Sequence, residues 1–254
     1  MKFSLYVIIP AGIAIAFFAM QYLTATEDGG PGGMTRAEIE SELQVQGYAQ
    51  VLDLIEDSFP DRHEAYMDDV AQVISDPTLP QARKGQRVLT ITQDFTDEMR
   101  RENAVFVGRA TEDGLLELQR ATLAVLVALE STPELCVQAA VAGPNGLARY
   151  DKARIDPALT GRVSRAVFEA IAEGRVQPAP RDAPSEADWE LFLKDWLATA
   201  PEMAEVIRVF LAGETEDSAR YCAGAISFLR QLLQDGSPEG LRIMAEYSQT
   251  AAAR

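Results

Sequence analysis

The sequence is poor in the side chains that most catalytic motifs need. Its 254 residues include one histidine, His63, and two cysteines, Cys136 and Cys222. A serine hydrolase requires a base beside its nucleophile, and the chain has no Gly-x-Ser-x-Gly elbow. Neither Gly-x-Gly-x-x-Gly nor a phosphate-binding loop ending in Gly-Lys-Ser/Thr occurs. No motif therefore indicates an enzyme, and we expect no cofactor.

Runs of basic residues are also missing. The chain has 23 Lys and Arg against 39 Asp and Glu, which gives a formal net charge of −16. A surface of this kind repels phosphate backbones, and it lacks the basic clusters whose binding releases counterions. We therefore expect no nucleic-acid binding. Two explanations of the acidic surface remain open, namely solubility and steering toward a basic partner.

Strand patterns are scarce, whereas helix-start signals recur. Alternation of apolar and polar residues is too short to predict a strand, and residues 87–92 come nearest to one. Thr35 with Glu38 forms a capping-box pattern, and Thr132 and Ser237 each precede a proline suited to a first helical turn. Together with a hydrophobic content of 47%, these signals predict an all-α, multi-helix, bundle-like body.

The signals divide the body into helices and one proline-rich segment. The predicted helices lie near residues 35–58, 60–75, 81–107, 112–130, 133–142, 157–173, 185–199, 201–211, 216–234 and 238–248. Residues 121–129 are apolar nearly all round, which predicts a central helix. Prolines near 174–184 indicate either a long connection, which we favour, or a subdomain boundary. A helical-repeat scaffold is a further alternative, although no residue pattern repeats.

The N-terminal segment is the longest apolar run. Residues 3–23 carry no charge, and as a helix they would span about 30 Å, the thickness of a bilayer core. We predict a single-pass signal-anchor helix over 1–25, a Gly-rich linker over 26–34 and an acidic helical domain over 35–254. The alternative is a signal peptide cleaved at Ala14-Ile15-Ala16, but that site lies early in the apolar run.

Orientation follows from the charges that flank this run. Lys2 precedes it, and the first base after it is Arg36. A short N-terminal tail on the cytoplasmic side, with the body exported, is the topology we predict. In a bacterium this topology anchors the protein in the inner membrane with its body in the periplasm.

The only candidate metal site surrounds the single histidine. Glu64 and Asp68 lie one helical turn apart beside His63, so carboxylates and an imidazole can approach one cation. The segment lacks the paired-histidine spacing of zinc sites and the glycine turn of calcium loops. An exposed, charged first turn of a helix has the same appearance, and we expect no metal.

Two other groups of residues are candidate sites. Cys136 and Cys222 are either two buried thiols or, in an exported body, a disulfide. Trp189, Phe192 and Trp196 are spaced three and four residues apart on one predicted helix. Such a stripe is typical of a core, and its functional alternative is a groove for a partner helix or a lipid tail.

The function that these observations favour is that of a non-catalytic interaction protein. The predicted anchor, the Gly-rich linker and the helical body together suggest an accessory or scaffolding subunit of an inner-membrane complex. The alternative is a membrane-tethered enzyme, or a small-molecule- or lipid-binding domain, with a carboxylate-lined cavity. A deep pocket of carboxylates with raised pKa values would favour this alternative.

Overall fold

A computed structural model describes residues 49–143 and 157–253. Every regular element in these two ranges is a helix and no strand occurs, which confirms the all-α class for the body. The anchor predicted at residues 3–23 and the linker predicted at 26–34 lie outside the described residues. No helix within the described ranges is long and apolar enough to cross a membrane.

Eleven α-helices follow one another in the described ranges. They are α1 (Ala49–Ser58), α2 (Pro60–Ser75), α3 (Gln81–Glu102), α4 (Ala104–Val107), α5 (Glu112–Ala128), α6 (Pro133–Ala142), α7 (Pro157–Val176), α8 (Glu186–Thr199), α9 (Ala204–Leu211), α10 (Ser218–Gln234) and α11 (Pro238–Ala253). A 3-10 turn, Pro201–Met203, precedes α9.

The predicted helix over 81–107 is interrupted at Asn103. Its side-chain amide donates a hydrogen bond to the carbonyl oxygen of Met99 at 2.8 Å, and its own φ and ψ of −105° and 7° are not helical. Asparagine side chains compete with the helical backbone in this way. The chain therefore turns between α3 and α4.

Helices α2 and α3 form a helical hairpin with a small hydrophobic cluster of its own. The buried members of the cluster are Tyr66, Met67, Val70, Ile74 and Val88. The Tyr66 ring stacks on Phe95 with centroids 4.5 Å apart, and its hydroxyl shares a 3.1 Å hydrogen bond with Thr92. Burial raises the pKa of the Tyr66 hydroxyl. We call residues 60–102 the N-terminal hairpin.

The remaining helices surround a larger core, and α5 lies at its centre. Leu115, Leu118, Val125 and Leu126 of α5 are buried, and α5 packs against α7, α10, α11 and α6. The predicted central position is thus correct in part, because one side of the apolar stretch is not covered: Val127 is 40% exposed, although Leu129 at the end of the stretch is buried. We call residues 104–143 and 157–253 the main body.

One close helix contact in the main body depends on glycine. Helix α7 crosses α4 at Gly174, where a Cβ atom would overlap the carbonyl oxygen of Phe106. Any larger residue would push the two helices apart, since well-packed interiors leave no space for an added methyl group. Gly174 therefore sets the distance between α4 and α7.

The proline-rich segment after α7 runs along the turn between α4 and α5. The Ala179 amide donates to the Arg109 carbonyl oxygen at 2.8 Å, and the Arg181 guanidinium donates to the Ala110 carbonyl oxygen at 2.7 Å. Side chains from both sides of the segment, such as Leu115 and Phe192, belong to the same hydrophobic core. The segment thus connects two parts of one packed interior.

Candidate functional site

The two cysteines meet inside the main body. A disulfide joins Cys136 of α6 to Cys222 of α10, with the Cα atoms 5.7 Å apart. Both residues are buried, and α6 packs directly on α10. This Cα separation lies in the range that a disulfide requires. Whether the bond persists in cells depends on the compartment that holds the body.

The candidate metal residues do not converge. His63 is 4% exposed and faces the interior side of α2 with Tyr66 and Met67, whereas Glu64 and Asp68 are exposed. Neighbouring helical positions point about 100° apart, so Glu64 cannot share the direction of His63. Within residues 49–143 and 157–253, no group of three or more His, Cys, Asp or Glu side chains is placed to hold a metal ion.

The aromatic stripe of α8 is part of the core. Phe192 and Trp196 are each 1% exposed, and their ring centroids lie 5.7 and 5.6 Å from that of Phe228 on α10. The Trp196 indole N–H donates to the Ser227 hydroxyl at 2.9 Å. Trp189, half-buried, meets Phe192 edge-on at 6.1 Å. The stripe thus fills the interior, and Phe192 and Trp196 do not form a groove open to a partner.

An open cavity of about 90 Å³ lies among α3, α5, α6, α7 and α11. Its apolar wall comes chiefly from Leu118, Ala139, Val163 and Phe168, and polar side chains include Gln119, Thr122 and Ser248. The described residues that line it include no Asp or Glu. It is therefore not the carboxylate-lined cavity that an enzyme of the kind considered above would use.

Gln119 is the unusual residue of this cavity. It is 2% exposed, and its Nε2 donates to the Ser248 hydroxyl at 2.7 Å. The Ser248 hydroxyl in turn donates to the Met244 carbonyl oxygen at 2.7 Å, so it can only accept from Gln119. This fixes the orientation of the amide, and Gln119 Oε1 is left buried without a hydrogen-bond partner. Such an orphan acceptor costs about 1 to 3 kcal/mol.

Sequence reasoning missed Gln119, although the signal was present. Gln119 follows Leu115 by one helical turn, on the side of α5 that faces the core. A polar residue at a core-facing position requires a partner. Its partner in the structure, Ser248, is 129 residues away, which no local pattern reveals.

One part of the surface is rich in acidic side chains. It is formed by seven exposed carboxylates of α1 and α2, which we call the acidic face: Asp53, Glu56, Asp57, Asp61, Glu64, Asp68 and Asp69. Arg62 is the only Lys or Arg between the first and last of them. Its guanidinium is paired with Glu98 and Glu102 of α3, at 3.1 and 3.4 Å. The one base of this segment is therefore engaged by α3, and a second cation, Arg175 of α7, reaches the junction of α1 and α2, where it lies 4.5 Å over the Phe59 ring.

A partly buried ion pair joins α8 to α11. Arg242 donates to both carboxylate oxygens of Asp188, at 2.6 and 3.1 Å. Asp188 also accepts from the Ser185 amide in a capping box. The Arg242 hydrogen bonds, followed by that from the Ser185 amide, hold the pKa of Asp188 well below its usual range. Both partners lie on helix ends in the main body, so the pair fixes the packing of these helices.

Comparison of the chain with protein-family models, with curated proteins and with solved structures finds no match to any of them. Its function must therefore be argued from its own residues. Two features carry chemistry that the packing of the fold does not use. They are the acidic face of α1 and α2 and the cavity beside Gln119.

Proposed function

We propose that the protein is a membrane-anchored, non-catalytic interaction protein, an accessory or scaffolding subunit of an inner-membrane complex whose body lies in the periplasm. The uncharged run at residues 3–23 is the expected anchor. The disulfide between Cys136 and Cys222 supports export, because such bonds form and persist in oxidising compartments.

The acidic face is the observation that carries the proposed interaction. Its seven exposed carboxylates lie on two consecutive helices, and the one base among them is paired with α3. On α1 and α2 the carboxylates outnumber the Lys and Arg side chains by seven to one, so these two helices carry a net negative charge. Such a surface speeds the encounter with a positively charged partner and discriminates against acidic ones. We accordingly propose a protein partner with a basic surface.

A pair of matched charge variants tests this proposal. The acidic-face variant carries Asp53→Asn, Asp57→Asn and Asp69→Asn, and the control carries Glu130→Gln, Glu190→Gln and Glu246→Gln on exposed positions elsewhere. Both lose three charges. Tagged full-length protein is extracted in mild detergent at low salt, and co-purifying proteins are quantified.

We expect several-fold less partner with the acidic-face variant and unchanged recovery with the control. At about 1 M salt, where charges are screened beyond about 3 Å, wild type should fall to the level of the variant. Equal recovery from both triple variants would show that the acidic face does not bind the partner. A partner that lacks a basic surface would contradict the proposal as well.

The second candidate is a small-molecule- or lipid-binding domain. It is supported by the open, largely apolar cavity among α3, α5, α6, α7 and α11. A catalytic version of this candidate has less support, because the described lining of the cavity includes no carboxylate that could act as acid or base.

A further inference from the structure

We propose that two copies of this chain associate through a groove between α2 and α3, so that their N-terminal hairpins form a four-helix bundle. The groove has a volume of about 690 Å³ and lies near the turn that joins the two helices. We call it the hairpin groove. Its occupant is the same protein, so purified chain suffices for a test, and the result does not depend on the partner proposed for the acidic face.

The residues that line the hairpin groove have the spacing of a helix-packing surface. On α2 and just beyond it they lie at positions 69, 72, 73 and 76, and on α3 they lie at positions 83, 87, 90 and 91. Positions three, four and seven residues apart share one face of a helix. Val73 and Ile91, which pack against the small hairpin cluster, are only half-buried. Each helix thus presents an incompletely covered stripe, on which the helices of a second hairpin can pack.

Hydrogen bonds fix the turn at the closed end of the groove. The Lys84 Nζ donates to the Ile74 carbonyl oxygen at 2.6 Å. Asp76 Oδ1 accepts from the backbone amide and the hydroxyl of Thr78, at 2.8 and 2.7 Å. These bonds tie the end of α2 to α3 and to the turn, so little further ordering is needed when a second hairpin binds.

The two walls of the groove carry opposite charges. Asp69 and Asp76 line the α2 wall, and Arg83 and Arg87 line the α3 wall. Within the described part of the chain, the side chains of Asp69, Arg83 and Arg87 form neither an ion pair nor a hydrogen bond. A surface that is negative on one side and positive on the other can match a second copy of itself. Asp69 also belongs to the acidic face, whereas the two arginines do not.

Two-fold symmetry allows two ways to pack one groove on another. An axis across the helices lays α2 on α2 and α3 on α3, which sets carboxylates against carboxylates and guanidinium groups against guanidinium groups. An axis along the helices lays α2 of each copy on α3 of the other, which sets the carboxylates against the guanidinium groups. Because like charges in contact cost free energy and opposite charges fix the register, the charges select the second arrangement.

The second arrangement brings particular residues together. Asp69 lies six residues before Ser75, the last residue of α2, and Arg87 lies six residues after Gln81, the first residue of α3. Each is therefore about 9 Å along its helix from the turn. Because both turns lie at the same end of this bundle, Asp69 of one copy faces Arg87 of the other, and the symmetry makes this contact twice.

This orientation suits two chains that are anchored in one membrane. With both turns at one end of the bundle, the two junctions of α1 with α2 lie together at the other end. The described lining of the groove comprises nine residues per copy, which is few beside the 20 to 30 or so on each side of a standard interface. Association should therefore be weak in solution and stronger in a bilayer, where the expected anchors confine both copies.

Energy transfer between two populations of full-length protein tests the inference. Donor-labelled and acceptor-labelled copies, each tagged at the C terminus, are reconstituted together into phosphatidylcholine vesicles at a large excess of lipid. We expect energy transfer that falls when unlabelled wild type is added, because competition displaces specific pairs and leaves random encounters unchanged.

Two single charge reversals identify the contact. Arg87→Glu and Asp69→Arg should each weaken association at least about tenfold, because both symmetric contacts then bring like charges together. A mixture of the two variants, one with the donor and the other with the acceptor, should restore energy transfer, since every contact again joins opposite charges. The controls Arg109→Glu and Glu130→Arg make the same charge changes at exposed positions of the main body and should leave association unchanged.

The remaining outcomes overturn the inference. Energy transfer that unlabelled protein does not reduce would show that the chain does not self-associate. Association that survives both reversals would place the interface elsewhere on the protein. Reversals that weaken association without rescue in the mixture would show that Asp69 and Arg87 do not meet, and a dimer that either reversal strengthens would have α2 packed on α2.

Discussion

The N-terminal hairpin and the main body share helical structure but differ in how they are held together. Among the side chains that the structure describes, the hairpin cluster has five buried residues, whereas the core of the main body has 31, counting Ile55 and Met99 that reach it from α1 and α3. Phe95 is packed against both clusters. Only the main body is cross-linked, because both cysteines lie in it.

This difference indicates that stability is not uniform along the chain. A small cluster buries a lower fraction of its apolar surface, and elements with few buried contacts open before the rest of a protein does. Four of the seven carboxylates of the acidic face lie on α2 in this weaker region, and the other three lie on the adjoining α1. A partner bound there would stabilise the less stable part of the protein.

Removal of the disulfide should produce the largest difference in stability between the main body and the hairpin. Cys136→Ala with Cys222→Ala opens a loop of 86 residues, which costs at most about 4 to 5 kcal/mol of stability in loop-closure entropy. We expect chemical denaturation of the detergent-solubilised protein to show this loss in the main body. Hydrogen exchange of residues 60–102 should change less, because the hairpin is not cross-linked.

The redox state of Cys136 and Cys222 in cells tests whether the disulfide forms there. Thiols are trapped with an alkylating reagent in intact cells, and free thiols are then counted in the denatured protein. We expect none for a body exported to the periplasm. Two reactive thiols per chain would contradict both the bond and the export that it supports.

Cavities made in the two cores should destabilise different parts of the protein. Met67 of the hairpin and Leu229 of the main body are both fully buried, and truncation of either to alanine costs about 2 to 5 kcal/mol. Leu229→Ala should lower the free energy of global unfolding. Met67→Ala should accelerate amide exchange in residues 60–102 and leave the slowest amides of the main body unchanged. Equal acceleration in both regions would show that they unfold as one unit.

Variants of the ion pairs should show the smallest difference between the two regions. In the hairpin, the side chains of Arg62 and Glu98 are 40% and 50% exposed, so Arg62→Gln should cost less than about 1 kcal/mol and nothing at high salt. In the main body, those of Arg242 and Asp188 are 26% and 10% exposed. Asp188→Asn should cost more than Arg62→Gln, and its effect should persist in salt.

The stability that the Arg242–Asp188 pair contributes should decrease in acid. Because the pKa of Asp188 is lowered in the folded state, its contribution is complete above the unfolded value of about 4 and disappears as pH falls through the folded value. Denaturation curves of wild type and Asp188→Asn should therefore differ most near neutral pH and converge in acid. A constant difference from pH 7 to pH 2 would assign the loss to packing instead.

Local patterns predicted much of the helical framework. Proline at the first turn marks the starts of α2, α6, α7 and α11, and Ser185 with Asp188 forms the capping box of α8. Such signals act within one turn and can be read from neighbouring residues. The break at Asn103 was missed, because the apolar pattern continues through it.

The candidate sites were less predictable, since each depends on residues far apart in sequence. His63, Glu64 and Asp68 are neighbours on one helix, yet burial of His63 separates them. The spacing of Trp189, Phe192 and Trp196 predicted an aromatic stripe, but it did not predict which residues cover that stripe. In the structure, Phe228 of α10 covers Phe192 and Trp196. Gln119 was overlooked because its partner, Ser248, belongs to another helix.

By itself the sequence determined the helical class and the acidic character of this protein, because capping, periodicity and charge are properties of short segments and of composition. Only the tertiary structure decided which helix faces meet. It brought Cys136 to Cys222 and Asp188 to Arg242, and it left Gln119 Oε1 unpaired at a cavity. These outcomes depend on close packing among distant segments, and no local pattern encodes how those segments fit together.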